Sequence, residues 1–289
     1  MNILLTGSSG FLGSRALYHL EQQGHLVTSI PSAMLRGTLS GERLASLERY
    51  FGQNRADILL HTAAISDTGY AEQHPDESFQ ANVELPVTLA RLAHVHGTKL
   101  ISCSSDQVYN GSRTSRPNPE AQTLAPANVY GRHKLEAEAR VQELCPDAVH
   151  LRLTWMYDLP LYHQKTNNNL VLGLLKTAIT GQAACYSTSD YRGITYVRST
   201  AERLPLTFDL PGGAYNFGSE NDLNLYDTAA DFLRAMGLAS RAPELVLPDS
   251  GREERNLRLD CAKIRQHGIE FPSTAEGIRQ LVADYPGML

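Results

Sequence analysis

The chain has 289 residues, of which 42% are hydrophobic and 20% charged, enough for one large α/β core or a core with a smaller lobe. A net charge of -5 leaves no basic face to hold a phosphate backbone, so no nucleic-acid partner is expected. The longest apolar runs fall far short of a bilayer span and the first strand begins at Asn2, which predicts a cytoplasmic protein with no membrane segment.

"MNILLTG" is a short β run ending in glycine. "FLGSRALYHLEQQGH" follows with helical spacing of Phe11, Leu12, Ala16, Leu17 and Leu20 until Gly24 stops it. The alternation continues with strand "HLVTSI", helix "ERLASLERYFGQ", strand "ADILLHTAA", a long helix from about Asp76 to His96, strand "TKLISCSS", a helix from Val129 and strand "AVHLRLTW". Alternating strands and helices imply parallel βαβ units. The fold class predicted is therefore α/β, a Rossmann-type doubly wound parallel sheet with a smaller C-terminal substrate-binding lobe. Residues 1–153 are assigned to the NAD(P)-binding domain, with 191–239 returning to it, and 154–190 with 240–289 to the lobe. In that later part "NNNLVLGLLKTAITG" reads as a helix, "GITYVRSTAERLPLTF" as a turn or strand leading into another, and "GAYNFGSE" as a short strand. The stretch from Pro243 to Asp260 reads as irregular, with two short helices after it. Cys103, Cys145, Cys185 and Cys261 are scattered, with no C-x-x-C pair and no metal-ligand spacing, so buried thiols and no metal site are expected.

Gly7-Ser8-Ser9-Gly10-Phe11-Leu12-Gly13 lies between the first strand and the first helix. Glycines there permit positive φ and close backbone approach, and free N–H groups at the helix start can meet a pyrophosphate. In the first βαβ unit the pattern favours a dinucleotide site over a turn kept only for packing. An acid at the end of the second strand would select NAD through the ribose 2′-OH. "TSIPSAMLRG" has none, and offers Ser29, Ser32 and Arg36 instead. The reading leans to NADP and keeps NAD open, and Arg36 reads equally well as a solvated loop residue.

Tyr130 and Lys134 stand four positions apart at the head of a helix, hence on one face. An ammonium beside a phenol favours the phenolate and brings the tyrosine toward the range of an acid/base catalyst. Upstream, "ISCSSDQVY" delivers Ser104, Ser105 and Asp106 to the same sheet edge, where a serine hydroxyl can polarise a substrate carbonyl.

In the order "TGSSGFLG", "HTAA", "QANVELP", "SSDQVYNG", "YGRHK" and "LRLTWMYD", the chain resembles the extended short-chain dehydrogenases/reductases, and within them the dTDP-4-dehydrorhamnose reductase branch. That branch carries stretches like "STDYVFDG", "YGRTKLEGE" and "LRTSWVYG", and the similarity reaches "NLRLDCAKIRQHGI", so it spans nearly the whole chain. The resemblance implies that Tyr130 donates a proton to the substrate carbonyl oxygen while NAD(P)H delivers hydride. Lys134 would bind the nicotinamide ribose and lower the Tyr130 pKa, and Ser105 would take the family's Ser/Thr position. Gly7, Gly10, Phe11 and Leu12 would touch the pyrophosphate, and Ala63 and Ala64 would flank the cofactor. Asn82 matches the family's helix asparagine and reads equally well as a buried structural amide.

The departures fall where the substrate is chosen. The family's "TDY" becomes Ser105-Asp106-Gln107, and "SDYRGITYV" adds Arg192, which suits either a sugar-nucleotide phosphate or a structural ion pair. Asp106, Gln107 and Arg192 are thus expected to face a small-molecule substrate, a nucleotide sugar by resemblance. A homodimer is left open. Besides a reductase of a 4-keto nucleotide-deoxysugar, two alternatives stand: a sugar-nucleotide epimerase with bound NAD, and a non-catalytic dinucleotide-binding regulatory subunit resembling that of methionine adenosyltransferase.

Overall fold

The computed structural model describes residues 1–161 and 164–286. The strands are β1 (Asn2–Thr6), β2 (Leu26–Ser29), β3 (Ile58–His61), β4 (Lys99–Ser105), β5 (Val149–Leu153), β6 (Trp155–Tyr157), β7 (Ala184–Ser187), β8 (Asp190–Arg192), β9 (Ile194–Tyr196), β10 (Gly213–Phe217), β11 (Val246–Asp249) and β12 (Arg255–Leu257). The helices are α1 (Phe11–Gln22), α2 (Ser32–Leu35), α3 (Gly41–Gln53), α4 (Thr68–Gln73), α5 (Pro75–Phe79), α6 (Leu85–His96), α7 (Val129–Leu144), α8 (Leu170–Thr180), α9 (Val197–Arg203), α10 (Leu225–Ala235), α11 (Ala242–Leu245), α12 (Ala262–Arg265) and α13 (Thr274–Asp284).

Six strands form one parallel sheet in the order β2-β1-β3-β4-β5-β10. The central strands β1 and β3 are apolar on both faces, as suits a parallel sheet covered by helices on both sides. Ile3, Leu5, Ile58, Leu60, Ile101 and Cys103 pack toward α1 and α9. Leu4, Leu59 and Leu100 alternate to the other face, against Leu47 and Phe51 of α3 and Leu89 and Leu92 of α6. Each such leucine or isoleucine contributes roughly 1.5–3 kcal/mol by burial. The direction of winding reverses between β1 and β3, and in open α/β sheets the crevice beyond the strand ends at this point receives ligands.

The predicted alternation is present through β5, with differences in detail. The long helix expected over 76–96 is divided into α5, a π turn (Gln80–Glu84) and α6. Helix α4 precedes it without having been anticipated. The last strand of the alternation ends at Leu153, and Trp155 opens β6, which pairs with β9 instead. In 191–239, β10 joins the main sheet and α9 packs on α1 through the face carrying Val197 and Ala201. Helix α10, by contrast, puts Ala229, Phe232 and Leu233 into a separate cluster with Leu170, Leu174, Tyr196, Ile278 and Leu281. Two strands, β11 and β12, occupy the stretch expected to be irregular after Pro243. Cys103, Cys145 and Cys261 are buried as expected, whereas Cys185 is exposed, because alternation along β7 turns Tyr186 toward the core and Cys185 away from it. Among the described residues no helix is long and apolar enough to cross a membrane, and no group of three or more His, Cys, Asp or Glu is placed to hold a metal ion.

Candidate active site

The glycine turn is shaped by backbone contacts. Gly7 has φ +73°, and a Cβ on it would lie 2.7 Å from the Ala63 amide nitrogen. A Cβ on Gly13 would lie 2.0 Å from the Gly7 carbonyl oxygen. Only glycine lets α1 start this close under the turn. The Gly10 amide donates to the Gly7 carbonyl at 2.8 Å, and the first turn of α1 carries no acidic side chain. Its positive end is thus left to the N–H groups around Phe11 and Leu12, whose side chains are buried in the core. These features fit a dinucleotide pyrophosphate.

Across the β1–β3 crevice, the Ala63 amide donates to Thr6 Oγ1 at 3.3 Å, and Ala64 is exposed. Thr6 Oγ1 also bonds His61 Nδ1 at 2.7 Å. Burial, then the Lys134 charge, lowers the His61 pKa to about 3, so its ring is neutral. Ser29 ends β2 half-buried, its carbonyl accepting from the Tyr50 hydroxyl at 3.0 Å. Arg36 is exposed at the end of α2. Arg43, which the sequence reading passed over, reaches back from α3 to the Arg36 carbonyl. Two guanidinium groups therefore stand beyond the end of β2.

The second group gathers where β4 ends. Ser105, Tyr130 and Lys134 are all buried, with 8%, 6% and 5% exposure. Helix α7 begins at Val129 because Asn128 caps it, its Oδ1 accepting from the Gly131 amide at 2.7 Å. A Cβ on Gly131 would lie 2.3 Å from the Gln107 carbonyl oxygen, so the first turn of α7 lies directly on the turn that follows β4. Lys134 Nζ donates to the Cys103 carbonyl at 2.9 Å and stands 5.8 Å from the Tyr130 ring centroid.

The pKa of Tyr130 moves opposite to expectation here. Burial raises it well above the ordinary phenol value, Ser105 pulls it down by hydrogen bonding, and Asp106 and Cys103 push it up. Burial likewise lowers Lys134 to about 8, against the upward pull of Cys103 and Glu138. Loss of hydration by both side chains is the dominant influence.

Period two along β4 sends Ser104 to the opposite face from Ser105, where it donates to Glu138 at 2.5 Å. Glu138 also holds Arg152 at 2.6 Å, and Arg152 donates to the Tyr109 hydroxyl at 2.8 Å. This buried network underlies Lys134, and nothing in the spacing of the sequence announced it. Asn82 spends its side chain on structure. It accepts from the Ile65 amide at 3.1 Å and donates to the Ile65 carbonyl at 2.9 Å and to Ser78 at 3.1 Å.

Asp106, Gln107 and Arg192 are brought to the same edge. Arg192 donates to Asp106 Oδ2 at 2.8 Å and stacks over Trp155 at 5.4 Å, while its Nε is buried without a partner. Both readings of Arg192 thus have support: it is ion-paired, and it keeps a donor unused. Gln107 is 6% exposed. It donates to Asp106 Oδ1 at 3.2 Å and accepts from Asn110 at 3.1 Å and Asn128 at 2.8 Å. Beyond Asp190, which pairs with Arg255, lies a cavity of about 540 Å³ lined in part by Asn110, Arg113, Arg252 and Arg255.

A family model described as "RmlD substrate binding domain" matches residues 1–286. The chain is 25% identical to dTDP-4-dehydrorhamnose reductase of Escherichia coli over 98% of this chain and 97% of that protein. It is 27% identical to the methionine adenosyltransferase 2 subunit beta of Bos taurus over 92% of this chain and 82% of that protein. Among solved structures, dTDP-4-dehydrorhamnose reductase from Bacillus anthracis, in complex with NADP, superposes with a TM-score of 0.86 at 20% identity, covering 98% of each chain. That likeness is one of fold.

Proposed function

The chain belongs to the RmlD substrate binding domain family, among the extended short-chain dehydrogenases/reductases, and from that premise we propose that it reduces a carbonyl with NADPH. The substrate we assign is the 4-keto group of a nucleotide-activated deoxysugar. The observation that carries the reading is the convergence of Ser105, Tyr130 and Lys134 at the end of β4, across the sheet edge from the glycine turn.

In this reading Gly7, Gly10 and the amides of Phe11 and Leu12 hold the cofactor pyrophosphate, with Ala63 and Ala64 beside it. Ser29, Arg36 and Arg43 meet the 2′-phosphate, and the missing acid at the end of β2 leaves NAD acceptable but not selected. When bound, the reduced nicotinamide supplies the hydride. Tyr130 supplies the proton, since its raised pKa keeps Oη protonated at neutral pH. Ser105 orients the carbonyl oxygen by hydrogen bonding. The Lys134 ammonium, mostly charged below about pH 8, stabilises the phenolate left behind and holds the nicotinamide ribose. Asp106, Gln107 and Arg192 form the wall toward the sugar nucleotide. The described residues of 154–190 and 240–289 make the substrate lobe, with α10 added, and 1–153 with the rest of 191–239 form the cofactor domain.

The test is to mix the protein with NADPH and a panel of nucleotide-linked 4-keto-6-deoxyhexoses and follow the reduced cofactor. Turnover is expected, and Tyr130→Phe should lower it by about 10²–10⁴-fold with NADPH affinity unchanged. No oxidation with any member of the panel, despite tight NADPH binding, would overturn the proposal in favour of a regulatory subunit. Sugar interconversion with no net cofactor oxidation would overturn it in favour of an epimerase.

A further inference from the structure

The Gln107 amide lies between two groups that matter to the proton donor. On one side is Asp106, whose second carboxylate oxygen holds Arg192. On the other is Asn128, whose own carbonyl caps the turn that carries Tyr130. We propose that Gln107 is a positioning residue, coupling the Asp106 carboxylate to the N-terminal cap of α7 and so fixing where Tyr130 stands. The coupling itself is independent of the activity, while its consequence for turnover rests on the reading of Tyr130 as proton donor.

Three observations support it. The chain of contacts is continuous: Gln107 Nε2 to Asp106 at 3.2 Å, Asn128 Nδ2 to Gln107 Oε1 at 2.8 Å, and the Gly131 amide to Asn128 Oδ1 at 2.7 Å. Its Asp106 end is buried, with Asp106 at 2% exposure and Gln107 at 6%, while Asn128 is half-buried, so water does not readily replace a lost bond between Gln107 and Asp106. The backbones are pressed together as well, since a Cβ on Gly131 would lie 2.3 Å from the Gln107 carbonyl oxygen. A displaced Gln107 therefore shifts the first turn of α7. A second cap, Glu72 to the Val129 amide at 2.7 Å, anchors the end of the helix but does not reach Gly131.

An amide is the side chain this position needs. It donates to a carboxylate with one end and accepts from two asparagines with the other. A thioether of the same length does neither, and a carboxylate keeps only the accepting end.

The test uses the full chain with Gln107→Met and Gln107→Glu, amide hydrogen exchange on the peptide covering residues 128–134, and steady-state turnover of the keto-sugar. With methionine, exchange in that peptide should quicken about tenfold through local opening. Turnover should fall by about 10–100-fold through misplacement of the donor, with KM for NADPH unchanged. With glutamate, the link to Asn128 survives and exchange stays as in the natural protein. The introduced carboxyl lies beside Asp106, which Arg192 holds through its other oxygen and whose charge also reaches Arg255 and the Tyr130 phenol. When protonated it can donate to Asp106, so turnover approaches that of the natural protein at acid pH and is lost as pH rises and the carboxyl ionises. Unchanged exchange over 128–134 in the methionine variant overturns the coupling, whatever the activity. Quickened exchange together with no turnover by the natural protein on any keto-sugar leaves the coupling standing and removes the reductase reading. Quickened exchange with full turnover overturns the claim that the coupling positions Tyr130.

Discussion

Replacing Glu138 by glutamine tests the polar layer beneath the site. Glu138 and Arg152 are 7% and 4% exposed, and their contacts comprise Arg152 Nε at 3.1 Å, Arg152 Nη2 at 2.6 Å and Ser104 Oγ at 2.5 Å. Removing the charge of one partner leaves a buried guanidinium uncompensated, which costs about 3–5 kcal/mol. The bond from Arg152 to Tyr109 and the new amide oxygen recover part of this, so we expect ~2–4 kcal/mol. For a chain of this size that lowers Tm by roughly 3–7 °C.

The effect carries a pH signature. Burial alone would raise the Glu138 pKa, but the hydrogen bonds and charge of Arg152, with His150 and Ser104, take it below the ordinary value. A depressed carboxyl contributes stability that is fully present above its unfolded pKa, near ~4.3, and lost as pH falls through the folded value. Urea unfolding of the two proteins should therefore show the full difference at neutral pH and a shrinking one in acid. A neutral-pH difference below about 1 kcal/mol, within the range of an exposed pair, would refute this account of the layer, as would a difference that does not change with pH.

Two further substitutions probe the cofactor and substrate sides. Gly13→Ala puts a methyl 2.0 Å from the Gly7 carbonyl oxygen. It should weaken NADPH binding at least ~10-fold and cost about 1–3 kcal/mol of stability, and calorimetric titration giving unchanged affinity would show that the turn does not hold the cofactor. Arg192→Ala removes an arginine whose Nε is buried without a partner. It should raise KM for the sugar nucleotide by about 10–100-fold, the range of a charge-assisted hydrogen bond, while leaving NADPH affinity alone. Arg192→Lys should not restore it, because the planar fork is lost. An unchanged KM in the alanine variant would make Arg192 a purely structural partner of Asp106.

Local chemistry was readable from the sequence. The glycine turn depends on residues adjacent in the chain, Gly7 above all with its positive φ, and α7 starts at Val129 as expected, on a cap from Asn128 that its spacing does not single out. Helix α10 went unread, although Asn224 caps it and Ala229, Phe232 and Leu233 share one face. What could not be read depends on pairings made by the fold. Arg192 meets Asp106 across 86 positions, and Arg152 meets Glu138 because β5 lies beside β4 under α7. The direction of the Tyr130 shift failed for a related reason. Spacing announces a neighbouring lysine, whereas burial, the larger influence, is set by everything packed around the phenol. Gln107 reads in the sequence as a residue facing the substrate, and its links to Asp106 and Asn128 become visible only once the turn after β4 lies on the start of α7.

The most direct measurement of the central claim is the fate of the hydride. Incubation with NADPH deuterated at the transferable position and a nucleotide-linked 4-keto-6-deoxyhexose, followed by mass spectrometry and NMR of the sugar, should show one deuterium on the former carbonyl carbon for each cofactor oxidised. A sugar product without deuterium, or deuterium retained on the cofactor throughout, would contradict the assignment of this site to carbonyl reduction.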